Sequence, residues 1–151
     1  MDNDECDIRV EIIDQTKNSF DLQKYRSLTE FLCRRFSIDN AYVSIAIVDD
    51  TDITEINEKF LGHKGYTDVI SFDLTDENDV KNFEIVVNAD QAARQACQRG
   101  HQTQAELALY ITHGLLHNLG FDDHDPDDAK KMHCMEDVIL KEAGFGTVYE
   151  T

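Results

Sequence analysis

Residues 113–124 read His113-Gly-Leu-Leu-His117-Asn-Leu-Gly120-Phe-Asp-Asp-His124, the stretch that decides both the C-terminal fold and the chemistry. His113 and His117 are four residues apart in a predicted helix, so their imidazoles lie one turn apart on the same face. Gly120 is a typical helix stop, and it lets the chain double back so that His124 approaches the pair. Three neutral imidazoles leave the fourth position of a tetrahedral zinc ion open to water, which is typical of catalytic sites. The stretch therefore predicts a zinc site at His113, His117 and His124.

Other interpretations of these residues stay open at this point. A histidine pair at helical spacing is also typical of two partly buried side chains that bind no metal. Nickel and copper fit imidazole as well, and we favour zinc because it needs no redox partner. Asp122 and Asp123 are candidates to orient a ligand imidazole or to act as a base. His133 and Cys134 lie in the last predicted helix, where we expect them to pack rather than to bind metal.

The stretch partly overlaps the H-E-x-x-H-x-x-G-x-x-H pattern of zinc proteases. In that pattern the glutamate after the first histidine is the general base. Gly114 occupies the position here, and the third histidine lies one residue further along the chain. A peptidase is therefore the weaker interpretation.

Outward from this stretch, alternating and helical apolar patterns indicate four strands and about five helices. Ile8, Val10 and Ile12 alternate as in a strand, and Asp125-Pro126 is typical of a helix start. Strands are predicted at residues 8–13, 42–48, 69–72 and 83–87. Helices are predicted at 20–36, from a cap at Thr51 or Asp52 to about Phe60, from a cap at Asp90 to Arg99, at 106–119, and from Asp125 to a stop at Gly144.

The order of these elements favours an α+β fold, because helices concentrate towards the C-terminus instead of alternating strictly with strands. Neither a repeat nor a linker interrupts the chain. We predict one compact domain over residues 1–151, with a small four-stranded mixed sheet packed with the helices. The zinc site lies at the end of a helix in the C-terminal half.

The composition is strongly acidic, with 31 Asp and Glu against 14 Lys and Arg and a formal net charge of −17. Bulk attraction to nucleic acid is therefore disfavoured, although a local basic strip is compatible with the uneven distribution of charge. We expect no membrane association, no disulfide framework and a cytoplasmic location, since apolar runs are short and the N-terminus is acidic. The candidates for the basic strip are Arg34, Arg35, Lys59, Lys64, Arg94 and Arg99.

Residues 113–124 resemble the H-G-x-L-H-x-x-G-Y-D-H signature of the YbeY family of bacterial ribosomal-RNA maturation factors. Residues 57–72, NEKFLGHKGYTDVISF, are similar to that family's N-x-x-Y-R-x-x-D-x-P-T-D-V-L-S-F block. Glu84-Ile-Val-Val resembles the strand that follows, and the blocks fit in order over roughly residues 40–145. The matching positions of the second block are Asn57, Thr67, Asp68, Val69, Ser71 and Phe72.

The resemblance implies a zinc-dependent endoribonuclease specific for single strands. It implies a role in 3′-end maturation of 16S ribosomal RNA, that of the small subunit, and in ribosome quality control. The partners would be single-stranded ribosomal RNA, the small ribosomal subunit and its assembly factors. The zinc ligands would be His113, His117 and His124. An activated water and the 2′-OH both remain open as the attacking group. The oligomeric state is not predicted.

This chain departs from the family pattern at two places. Six residues separate His117 from His124 where the family has five, so Asp123 occupies the usual position of the third ligand and could coordinate instead. The arginine of the second block aligns with Leu61. Lys59, His63 and Lys64 are candidates to replace it on the RNA, and His63 could also transfer a proton. These departures and the acidic charge keep open a non-catalytic ribosome-assembly factor with a structural zinc.

Overall fold

The computed structural model describes residues 7–76 and 80–146. The predicted α+β class, with a four-stranded mixed sheet and five helices, is confirmed for these residues. The acidic residues 1–6, part of the predicted polar loop at 77–79 and residues 147–151 lie outside them. The elements are β1 (Asp7–Asp14), α1 (Leu22–Arg35), β2 (Asn40–Val48), α2 (Asp50–Leu61), β3 (Val69–Asp73), β4 (Lys81–Asn88), α3 (Ala89–Arg99), α4 (Thr103–Asn118) and α5 (Pro126–Glu142).

The sheet has the order β1-β2-β4-β3. Strand β1 pairs in parallel with β2, and β2 in parallel with β4, whereas β3 pairs antiparallel with β4 at the edge. The parallel pairs need crossovers, and α1 lies in the first of them. Helix α2 lies between β2 and β3, and the other three helices follow the last strand.

Successive residues of the central strands alternate between two apolar layers. Ile45, Ile47, Ile85 and Val87 belong to the larger core, which α1, α4 and α5 also enter. Between them, Val86 points to the other side and joins a smaller cluster beneath α2. Burial on both sides accounts for the continuous apolar runs at residues 45–48 of β2 and 85–87 of β4.

Helix α4 is apolar around most of its circumference because it is enclosed between the sheet and other helices. Ten of its sixteen residues are buried. Gly114 faces the sheet, and an added Cβ there would lie 3.1 Å from side-chain atoms of both Ile85 and Val69. The missing side chain lets the helix that carries the two histidines lie directly on β3 and β4.

The N-caps of two helices, α2 and α3, differ from the predicted ones. Asp125 caps α5 by accepting a hydrogen bond from the Asp128 N–H, as expected. Helix α2 is capped by Asp49, not by Thr51 or Asp52, and α3 by Asn88, not by Asp90. In both, the side chain just ahead of the helix accepts the exposed backbone N–H groups, and the predicted caps lie inside the first turn. Helix α4 also begins three residues before the predicted Glu106.

Within residues 7–76 and 80–146, no helix combines the length and the apolar composition needed to cross a bilayer.

We predict that Gly114→Leu lowers the free energy of unfolding by about 2 kcal/mol or more, because overpacking at this contact forces α4 away from the sheet. The measurement is urea denaturation followed by circular dichroism. Gln104→Leu is the matched control, since it introduces the same side chain at an exposed position of the same helix. Equal stability of the two variants would contradict the packing argument.

Candidate metal centre

Three potential ligands come together at the C-terminal end of α4. The ligand atoms of His113, His117 and Asp123 all lie within 4.8 Å of one another. Asp123 lies between the two imidazoles, with Oδ1 3.6 Å from His117 Nε2 and Oδ2 3.8 Å from His113 Nε2. The rings themselves meet edge to face, with their centroids 4.8 Å apart. The predicted pairing of the two histidines on one helix face is thus present.

The turn after α4 carries Asp123 back to the helix end. Gly120 has a φ of +100°, a left-handed conformation that glycine adopts without strain. The Phe121 N–H then donates to the Leu116 carbonyl, which closes the helix end. Helix α5 begins only a few residues later at Pro126. A short connection between two fixed helix ends therefore determines which side chain of residues 122–124 faces the histidines.

The structure does not bring His124 to this cluster. Its side chain is 88% exposed, and its Nε2 lies 3.6 Å from Asp122 Oδ2. Its backbone N–H also donates to Asp122 Oδ1. Asp122 and His124 thus form a local pair in the turn, and Asp123 occupies the place beside His113 and His117.

A buried carboxylate holds the ring of His113. Glu136 on α5 is fully buried, and its Oε2 lies 2.7 Å from His113 Nδ1. A proton on Nδ1 is donated to Oε2 and leaves the Nε2 lone pair facing Asp123, which is the arrangement that metal-ligating histidines commonly have. Glu136 is therefore placed to fix both the tautomer and the orientation of His113.

Two opposing effects act on the pKa of His113. Burial lowers it, but the hydrogen bond and the charge of Glu136, with the charges of Asp68 and Asp123, outweigh burial and raise the pKa overall. The imidazole thus sits in a strongly negative environment. Such an environment favours any cation, whether a proton or a metal ion.

The donor set fits a divalent metal ion. Two imidazoles and one carboxylate are the protein ligands of many catalytic zinc sites, and they leave a fourth position for water or substrate. Ligand atoms about 2.1 Å from a tetrahedral zinc are roughly 3.4 Å apart. The two carboxylate–imidazole separations are close to this value, so His113, His117 and Asp123 could hold the ion with small side-chain adjustments.

A polar cleft of about 430 Å³ opens beside the cluster. It is lined by Asp68, Gln91, Gln95, Arg99, Leu109, Tyr110, His113, Asp123 and His133. A larger, mostly apolar groove of about 660 Å³ lies at Phe121, Met135 and Val138 and contains none of the three potential ligands. The cluster that could hold a metal ion therefore borders the smaller, polar cleft.

Asp68 reaches the cleft because a buried asparagine fixes its loop. The backbone N–H of Asn88 donates to the Asp68 carbonyl, and its side-chain amide donates to the Thr67 carbonyl and to Asp50 Oδ1. Arg94 in turn contacts both oxygens of Asp50 and lies 4.8 Å from the centroid of the Tyr66 ring. The strand end, α2 and α3 therefore hold this loop together.

The other predicted site residues lie outside the cleft lining. Lys59 is exposed at the end of α2, with its Nζ 5.4 Å from the centroid of the Phe60 ring. His63 and Lys64 are exposed in the following loop. Leu61, which aligns with the arginine of the similar family, is 42% exposed. The structure thus gathers the lysines and His63 into a separate region at the end of α2.

Sequence reasoning missed Glu136 and assigned His133 to packing, whereas His133 lines the cleft. It named Arg99 only as a candidate for a basic strip and Asp68 only as a position that matches the similar family. The sequence pattern could have indicated Glu136, because this residue lies on the apolar stripe of α5 that Met132, Ile139 and Leu140 define. A charged residue at such a position needs a buried partner. No local pattern marks the other three as neighbours of the histidines.

Three comparisons with known proteins agree with one another. The family described as Endoribonuclease YbeY matches residues 10–144. Endoribonuclease YbeY of Nocardioides sp. is 31% identical over 141 residues, covering 87% of this chain and 95% of that protein. The Campylobacter fetus protein of the same name is 40% identical over 108 residues, covering 72% and 79%. The solution structure of TM1509 from Thermotoga maritima has a TM-score of 0.60 at 24% identity, covering 88% and 90% of the two chains, and supports the fold.

We predict that Glu136→Gln weakens zinc binding about 10- to 100-fold, because the amide no longer holds a protonated Nδ1 as a carboxylate does. The measurement is competition with a coloured chelator. Asp137→Asn is the matched control, a change of the neighbouring acid of α5, and should alter the affinity less than threefold. Equal losses of zinc affinity in the two variants would mean that Glu136 acts through its negative charge alone and not through its contact with His113.

A pH titration of the metal-free protein tests the same contact. His113 should titrate above about 6.5, the ordinary histidine pKa, and its pKa should fall in Glu136→Gln. Since the folded pKa exceeds the unfolded one, the stabilisation is fully present below the unfolded pKa and is lost as pH rises through the folded pKa. Imidazole chemical shifts measured by NMR against pH report the change. An unaltered pKa in the variant would contradict the role of Glu136.

Proposed function

This chain belongs to the endoribonuclease YbeY family, and on that premise we propose that it is a zinc-dependent endoribonuclease acting on single-stranded ribosomal RNA. The observation that carries the proposal is the convergence of His113, His117 and Asp123 beside a polar cleft that His113 and Asp123 line. The family gives the reaction class, and the cluster supplies the metal ligands that the reaction needs.

The proposed ligands are the Nε2 atoms of His113 and His117 and the carboxylate of Asp123. Support for Asp123 over His124 comes from its position between the two imidazoles. When bound at such a site, zinc lowers the pKa of a coordinated water to about 7 and withdraws charge from phosphoryl oxygens. Glu136 keeps the Nε2 lone pair of His113 available for the ion.

The remaining polar residues of the cleft have separate proposed roles. Asp68 and His133 line the cleft with the ligands, so they are in place to move the protons that hydrolysis requires. Asp122 shapes the turn that presents Asp123. Lys59, His63 and Lys64 are exposed at the end of α2, where they would contact RNA outside the cleft.

In this proposal the substrate is the 3′ region of small-subunit ribosomal RNA, and the partners are the small ribosomal subunit and its assembly factors. Such a substrate places the protein in the cytoplasm, with a part in ribosome quality control. The acidic surface, with a net charge of −17, suits contact with basic ribosomal proteins better than extensive contact with RNA phosphates. This charge favours, as the second candidate, an assembly factor that holds zinc without cleaving RNA.

The peptidase alternative loses further support from the packing of α4. The position that carries the catalytic glutamate in zinc proteases is Gly114, which faces Ile85 and Val69 of the sheet. A glutamate there would overlap the core. No general base of that type can therefore be placed at this position.

The experiment that tests the function is cleavage of a labelled single-stranded RNA by the zinc-loaded protein. We predict that His117→Ala lowers the cleavage rate by about 10³-fold or more, since removal of a ligand removes the metal chemistry. A chelator should abolish cleavage by the wild type, and added zinc should restore it. Circular dichroism checks that the variant is folded.

Cleavage retained by folded His117→Ala would overturn the metal mechanism. A folded, zinc-loaded wild type that leaves RNA intact and binds small ribosomal subunits would establish the assembly factor instead.

A further inference from the structure

One face of α3 forms a polar wall of the cleft. Gln91, Gln95 and Arg99 follow one another at four-residue intervals, and all three line the cleft with His113 and Asp123. Residues four apart share a helix face, about 6 Å apart along the axis, so the wall spans about 12 Å. We propose that this wall binds the sugar–phosphate backbone of single-stranded RNA, with Arg99 holding a phosphate beside the metal ligands. The proposal rests on the proposed function and assigns its substrate-binding residues.

Arg99 is anchored by a buried carboxylate. Glu106 is fully buried on α4, and its two oxygens lie 3.2 and 3.5 Å from the same guanidinium nitrogen, Nη1. Asp50 contacts both terminal nitrogens of Arg94 instead, each at 2.8 Å. The Glu106 contacts thus fix one corner of the Arg99 guanidinium while its side chain stays 35% exposed at the cleft.

This anchoring is what a phosphate-binding arginine requires. A guanidinium presents five N–H donors in a rigid fork, and it can join a carboxylate at one side and a phosphate at the other. Burial makes the ion pair with Glu106 costly to separate, so the arginine is held in place before substrate arrives. Prior positioning of this kind lowers the entropy lost on binding.

The glutamines add neutral donors to the same face. Gln91 Oε1 accepts a hydrogen bond from Arg94 Nε at 2.9 Å. Because its oxygen is engaged there, its NH₂ group is turned away from Arg94 and remains a donor. Gln95 stands between Gln91 and Arg99 on the helix. Amide N–H groups can donate hydrogen bonds to phosphate and ribose oxygens. Contacts with these oxygens position a nucleic acid without distinguishing its sequence.

The charges of the residues that line the cleft explain why an arginine on this wall is important for binding phosphate in an acidic protein. Of the described residues that line the cleft, Arg99 is the one arginine or lysine, and Asp68 and Asp123 are acidic. A metal ion would neutralise Asp123 but would not hold a phosphate further along the strand. Arg99 therefore supplies the cationic contact on this side of the cleft.

The test is binding of a short, fluorescein-labelled single-stranded RNA to metal-free protein, measured by fluorescence anisotropy against salt concentration. Arg99→Gln should weaken binding at least about tenfold and reduce the salt slope by about 0.7, the value for one phosphate contact on a single strand. Gln95→Leu should weaken binding severalfold with an unchanged slope.

Arg35→Gln is the matched control. Arg35 also pairs with a glutamate at 3.2 Å and is 34% exposed, but it lies on α1 outside the cleft. The variant loses the same charge, and its affinity should stay within about twofold of the wild type. Because Arg99→Gln leaves Glu106 buried without its guanidinium, Arg99→Gln/Glu106→Gln provides a neutral pair if the single variant fails to fold. The double variant should show the same loss of affinity.

The outcomes separate this inference from the proposed function. Equal affinities of the Arg99 and Arg35 variants, or no RNA binding by the wild type, would overturn the inference, and zinc-dependent cleavage would still establish the nuclease. Selective loss in the Arg99 variants supports the inference, even if the zinc-loaded wild type fails to cleave and the nuclease proposal falls.

Discussion

Helix α4 can lie directly on the sheet because Gly114 has no side chain at the contact with Ile85 and Val69. This close approach fixes the height and rotation of the helix, since well-packed interiors permit little sliding. His113 and His117 are part of the same rigid helix. Their positions are therefore set by apolar packing and not by the metal site itself. The position of the end of α4 then determines where the turn from Gly120 to Asp125 and the start of α5 lie.

The second constraint is electrostatic. Glu136 places a carboxylate on the buried face of α5, where an unpaired charge would cost several kcal/mol. This carboxylate pairs with His113. Glu106 is likewise buried and pairs with Arg99. Each buried acid thus holds a basic side chain at the edge of the cleft. The same contacts that pair these buried acids orient His113 and Arg99, which are proposed to bind metal and substrate.

The sequence was sufficient for the elements and for the histidine pair, because those signals are local. Helical spacing placed His113 and His117 on one face, and Asp125-Pro126 marked the start of α5. It left the choice between His124 and Asp123 open, since that choice depends on φ and ψ in a short turn. Nor did it predict Glu136, 23 residues from its partner His113, because helix packing alone creates that contact.

The zinc affinity of Asp123→Ala and His124→Ala, compared with the wild type by chelator competition, tests the central claim most directly. Loss of a ligand should cost more than the 10- to 100-fold typical of residues that only support one. We expect such a loss in Asp123→Ala and a change of less than about threefold in His124→Ala, whose side chain is exposed and faces Asp122. The reverse order would show that the turn rearranges when metal binds and that His124 is the third ligand.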